Sequence, residues 1–116
     1  MIEDRVLLHL ADGRRPPQDP REIFFVEADG GDSLVRLRGR KRLRDVRELG
    51  ELEELLAPHG FLRIHRDTLV NLRRVRDIRR AGGGGGWEVK LDPPVNRVLP
   101  VSRRRASDLF AAFGER

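Results

Sequence analysis

A chain of 116 residues has room for a single hydrophobic core, and its 24 Lys and Arg against 19 Asp and Glu give a net charge of +5 that favours polyanionic partners. The absence of Cys excludes a disulfide scaffold, thiolate zinc sites, iron–sulfur clusters and a cysteine nucleophile. No apolar run approaches the roughly 20 residues of a membrane helix, and residues 1–20 carry charges throughout with no signal-peptide core, so no membrane association and a cytoplasmic location are the expectations.

In chain order, Val6–Leu10 predicts a first strand, and the run from Ala11 to Glu22, with Gly13, Pro16, Pro17 and Pro20, predicts an irregular connection. Ile23–Ala28 is rich in β-formers and Asp29-Gly30-Gly31-Asp32 is a turn signal. A hairpin returning through Leu34–Arg38 is therefore expected, with a further half after Gly39. Leu43, Val46, Leu49, Leu52, Leu55 and Leu56 recur at helical spacing, which predicts a helix near 45–57, capped by Asp45 and Glu48 and closed by Pro58 and Gly60. Phe61–Ile64 and Val75–Ile78 read as strands flanking a polar knot, His65 to Asn71. Trp87–Leu91 alternates cleanly, and the five glycines 82–86 before it suit a hairpin loop; a phosphate-binding loop would need a Lys-Ser or Lys-Thr and a following helix. Pro93-Pro94 marks a turn, Arg97–Val101 a last strand, and Ala106, Leu109, Phe110 and Phe113 one face of a closing helix near 103–113. The class is mostly β with short helices, an α+β domain in one piece.

The charge is segregated. Residues 36–47 hold seven bases (Arg36, Arg38, Arg40, Lys41, Arg42, Arg44, Arg47) against Asp45 alone, residues 61–80 hold another seven, and Arg103, Arg104 and Arg105 form a third block. Of the bases, 22 are Arg, whose forked guanidinium suits phosphates and guanine better than an ammonium does. Such clustering resembles a nucleic-acid footprint, although an Arg-rich, salt-bridged surface accounts for charge alone equally well.

Catalysis finds little support. The three His and three Ser show no triad order or motif spacing, and His65 beside Asp67 reads more simply as a hydrogen-bonded structural residue. No metal-binding spacing occurs and no cofactor is implied. Two segments carry more information. With Ser102 as N-cap, Arg103–Arg105 occupy a first helical turn where the macrodipole already disfavours cations, so an anion would relieve them; pairing with nearby Glu is the alternative. In Phe61–Asn71, apolar Leu62, Ile64, Leu69 and Val70 anchor both ends of a polar excursion, pushing Arg66 and Asp67 outward on a rigid mount. Thr68 and Asn71 read as turn formers bonding local backbone.

Phe61-Leu62-Arg63-Ile64-His65-Arg66 with Leu69-Val70-Asn71, Ile23-Phe24-Phe25-Val26-Glu27 opening an early hairpin, the Leu-rich helix before Phe61 and Pro100-Val101-Ser102-Arg103 opening the last helix together resemble a LytTR-type DNA-binding domain. The resemblance spans about Val6 to Phe113. It implies small packed antiparallel sheets with short helices, in a bacterial transcription regulator that lays loops into successive major grooves of repeated sites and bends the duplex. It further implies double-stranded DNA with direct repeats as the partner, two domains on one promoter as a homodimer, and base reading near Ser33, at Arg66 and at Arg103. Arg36, Arg38, Arg40, Lys41, Arg104 and Arg105 would neutralise backbone charge. The family often has Ser where this chain has Asp67, which here would orient Arg66 or accept from cytosine N4. An RNA-binding module and a basic protein-interaction module are the rivals. The first is disfavoured because most of the six aromatics are placed for a core.

Overall fold

In the computed structural model, which describes residues 4–115, Ile23–Val26 are all buried. A strand shows such a run when both its faces are covered. This strand, β3 (Ile23–Asp29), is the middle of a five-stranded antiparallel sheet. Its companions are β4 (Asp32–Leu37), β5 (Arg42–Asp45), β6 (Phe61–His65) and β7 (Thr68–Asn71), in the order β5-β4-β3-β7-β6. A register shift between Ile23 and Phe25 interrupts the alternation. As a result Phe24 and Phe25 both join one core and Ile23 and Val26 the other, so the sheet separates two cores where the chain length suggested a single one.

The first core is closed by α1 (Leu49–Leu56), whose Leu49, Leu52 and Leu56 pack on Val26, Val35 and Leu69, together with Val6 and Leu8 of the N-terminal segment. The second core is closed by α2 (Arg103–Ala112) and by a three-stranded antiparallel sheet. Its strands are β8 (Val75–Arg80), β9 (Trp87–Leu91) and β10 (Val98–Val101). Val89, Leu91, Leu99, Val101 and Leu109 meet Phe24, Phe25, Ile64 and Val70 there. A two-stranded ribbon of β1 (Val6–Leu7) and β2 (Pro17–Gln18) completes the order. No helix among the described residues is long and apolar enough to cross a membrane.

Tertiary pairing overrides local pattern in three places. Residues 42–45, whose Leu43 fits the helical period, are extended as β5, because β4 supplies a ladder from Arg36↔Arg42 to Ser33↔Asp45. The helix therefore starts at Leu49, and Glu48 is its N-cap without a side-chain bond, so the expected Asp45–Glu48 capping box does not form. The polar knot contains β7, a buried strand hydrogen-bonded between β3 and β6. Its Asn71 bonds local backbone at Arg73 N (3.0 Å) as expected, but it also donates to the carbonyls of Ile23 (2.9 Å) and Pro20 (3.3 Å) across the sheet. The connection 11–22 includes β2, and the first strand is only two residues long.

Candidate nucleic-acid interface

The hairpin β6–β7 turns at Arg66-Asp67, with His65 opposite Thr68. Four contacts hold this turn. Asp67 N–H donates to His65 Nδ1 (3.3 Å), Ala28 N–H donates to the Asp67 carbonyl (2.9 Å), and the Arg63 guanidinium donates through Nε (3.2 Å) and Nη2 to the Arg66 carbonyl. Arg63 is itself fixed by Glu53 of α1 at 3.0 Å. The backbone of Arg66 is thus clamped while its side chain stands 87% exposed, which is the rigid mount with an outward cation that the sequence suggests. Asp67 Oδ2 lies 3.6 Å from Arg66 Nε, close enough to bias the guanidinium but too far for a strong hydrogen bond.

The start of α2 is brought to the same place. Ser102 N–H donates to the Ile64 carbonyl at 2.9 Å, which pins the helix N-terminus to the end of β6, two residues before Arg66. Ser102 is the N-cap as expected, yet its hydroxyl makes no capping bond and no acid lies in the first turn. Arg103 and Arg104 are exposed and Arg105 is half-buried. Among the described residues no carboxylate pairs with any of the three, so the alternative of neutralisation by nearby Glu is not realised there. The positive end of α2, with its three arginines, thus starts beside the part of β6 that leads into the Arg66 turn.

Ser33 is placed differently from the expectation. It is completely buried, and its Oγ donates to the Arg47 carbonyl at 2.8 Å. In this fold Ser33 presents no atom to a groove; it anchors the loop between β5 and α1. Opposite it on β5 lies Asp45, also fully buried, which accepts from His9 N, Arg47 N and Arg47 Nε (2.9 Å each) and from Arg47 Nη2 (2.7 Å). Burial raises the proton affinity of Asp45, but the Arg47 guanidinium and the two backbone N–H groups outweigh it and hold the carboxyl below its ordinary range.

The remaining basic candidates sit elsewhere. β3 runs from Ile23, opposite Leu37, to Asp29, opposite Asp32. The Gly39–Lys41 turn therefore lies at the opposite end of the sheet from Arg66, roughly 20 Å away for six residues of strand. Arg36 donates through Nε (3.0 Å) and Nη2 (2.7 Å) to the Gly39 carbonyl, and Arg38 pairs with Glu22 at 2.6 Å. Both are committed internally. Arg40 and Lys41 are exposed with no ion pair among the described residues. Burial, then the charges of Arg97, Arg42 and Arg40, hold the Arg36 guanidinium below the usual arginine range, the sign of a locally cationic surface. Arg97, which pattern reading passed over, stacks 5.1 Å above the Phe25 ring. No local signal joins residues 36, 42 and 97; only the sheet packing does.

Comparison with known proteins agrees with this architecture. The LytTr DNA-binding domain family model matches residues 17–114. The sensory transduction protein LytT of Oceanobacillus iheyensis is 28% identical over 110 residues, covering 95% of this chain and 44% of that protein. The CO-responsive transcriptional regulator RcoM of Rhodospirillum rubrum is 32% identical over 91 residues, covering 78% and 37%. The chain spans less than half the length of either curated relative. A solved LytTr DNA-binding domain from Bacillus cereus superposes with a TM-score of 0.78 at 24% identity, covering 97% of this chain and 99% of the other.

Proposed function

The chain belongs to the LytTr DNA-binding domain family, and from that premise we propose that it binds double-stranded DNA sequence-specifically as the reading module of a bacterial transcription regulator, without catalysis of its own. Arg66 and Arg103 enter the major groove, where a guanidinium forks onto guanine O6 and N7. Asp67 orients Arg66. Arg104 and Arg105 neutralise neighbouring phosphates, aided by the positive end of α2. The observation that carries this reading is the Ser102–Ile64 hydrogen bond, which joins the clamped Arg66 turn and the carboxylate-free start of α2 into one cationic end.

Arg40 and Lys41 lie roughly six base pairs from that end at 3.4 Å per pair, so they reach phosphates when the duplex curves along the sheet. Bending, loops in successive major grooves, direct repeats and two domains on one promoter as a homodimer form one consistent picture. Ser33 has no part in base reading here, since its hydroxyl is bonded inside.

The test is selection of bound sites from random duplex DNA, followed by anisotropy titrations on the selected site. Arg104→Ala should weaken binding to all sequences alike and lower the salt slope by about one unit. Arg66→Ala should also relax preference at one base position, worth about 1–3 kcal/mol. Equal, sequence-blind losses from both variants would refute the assignment of roles. RNA outcompeting the selected duplex would refute the choice of DNA.

A further inference from the structure

Beyond Arg66 and the start of α2, a third element ends at the cationic pole. Val101, the residue before the Ser102 cap, pairs with Trp87 at the start of β9, and Trp87 pairs with Arg80 at the end of β8. The glycines between these strands leave the three-stranded sheet at the edge where α2 begins; a Cβ on Gly86 would lie 3.6 Å from the Val101 carbonyl oxygen. We propose that Arg80 and the Gly82–Gly86 loop form a phosphate-binding arm that holds the DNA backbone beside the bases read from α2. The proposal rests on the duplex-DNA reading above.

The chemistry of the arm comes from a contrast between neighbours. Arg79 points to one face of β8 and is consumed by Glu88 at 3.0 Å. Arg80 points to the other face, is exposed, and has no carboxylate partner among the described residues. Its guanidinium lies 4.1 Å over the Trp87 ring. Trp87 is in turn held by an edge-on contact with Phe110 of α2, 4.9 Å between centroids. Stacking on a fixed indole orients the guanidinium plane at low entropic cost while its N–H edge stays free for an oxygen acceptor. The loop itself carries no side chains, and a Cβ built on Gly82, Gly83, Gly84 or Gly85 meets nothing within 4 Å. Bare backbone with open space around it can approach a sugar–phosphate chain as closely as its own amides allow.

The experiment measures binding of the wild-type chain and three variants to a selected duplex at several salt concentrations. Arg80→Gln should weaken binding roughly fivefold, with the salt slope reduced by about 0.9 and base preferences unchanged. The double variant Gly82→Asp, Gly85→Asp places two carboxylates in open space at positions without positive φ, so it should fold normally and weaken binding more than about tenfold. Arg79→Gln should stay within about twofold of wild type, because that cation is already paired. Wild-type affinity and slope in both Arg80→Gln and the double Asp variant, with Arg66→Ala still impaired, would overturn the arm and leave the DNA reading intact. Absence of any duplex binding by the wild-type chain would overturn both.

Discussion

Replacing Asp45 by Ala tests the conclusion that the β5–α1 corner holds the fold rather than contacting a partner. The carboxylate is completely buried and accepts four hydrogen bonds, two of them from an Arg47 guanidinium that is only 16% exposed. Removing one member of a buried pair leaves the other charge uncompensated and costs about 3–5 kcal/mol. Arg47 keeps its 2.9 Å bond to the Leu7 carbonyl and some solvent access, so the lower end, about 3 kcal/mol, is expected. That equals a large share of a typical domain's stability and lowers Tm by roughly 10 °C. Urea unfolding followed by circular dichroism measures it, and a loss below about 1 kcal/mol would refute the reasoning. Ser33→Ala removes the neighbouring bond to the Arg47 carbonyl and should cost about 1 kcal/mol. It should be non-additive with Asp45→Ala and leave base preference untouched. The pH dependence has a definite sign. Because the folded Asp45 carboxyl is held below its ordinary value, its contribution is complete above about pH 4 and is lost as pH falls through the folded value. The stability gap between wild type and Asp45→Asn should therefore narrow below about pH 4.

Asn71→Ala should cost about 2 kcal/mol in the same unfolding assay, since the buried amide serves Ile23, Pro20 and Arg73 at once and its loss strands their backbone groups. Gly50→Ala should raise stability by about 0.5 kcal/mol, because Gly50 is an exposed residue in the first turn of α1 whose added Cβ meets nothing within 4 Å; a lower Tm would count against it. The side chain and backbone N–H of Arg21 pull the Asp19 carboxyl down to about 2. In an NMR titration Arg21→Ala should move that value toward about 4, and an unchanged midpoint would assign the shift to some other group.

Much of the architecture is written in short-range pattern. The Asp29–Asp32 turn, the alternation of Trp87–Leu91, the helical spacing of Leu49, Leu52 and Leu56 and the Ser102 boundary of α2 all appear where local preference puts them, because each depends on residues a few positions apart. The prominence of Arg66 was legible for the same reason: apolar neighbours on both sides force a tight polar turn outward. Residues 42–45 and 68–71 were not legible, since their extended state exists only because β4, or β3 and β6, offer a hydrogen-bonding ladder. The resemblance put base reading near Ser33, and nothing local told that a carbonyl 14 positions away would take up its hydroxyl.

The amino-acid order by itself determined most of the element types, the excess of guanidinium and the kind of ligand such a surface attracts, because composition and period are properties of adjacent residues. Which cations lie near one another was decided only by the tertiary structure. One hydrogen bond from Ser102 to Ile64 and one strand pairing from Val101 to Trp87 bring Arg66, Arg103 and Arg80 to a common end. The twelve-residue basic block at 36–47 is meanwhile spent partly on Gly39, Glu22, Asp29, Asp32 and Asp45. Charge density along a chain says nothing about this division, since pairing and exposure depend on which distant segments share an edge.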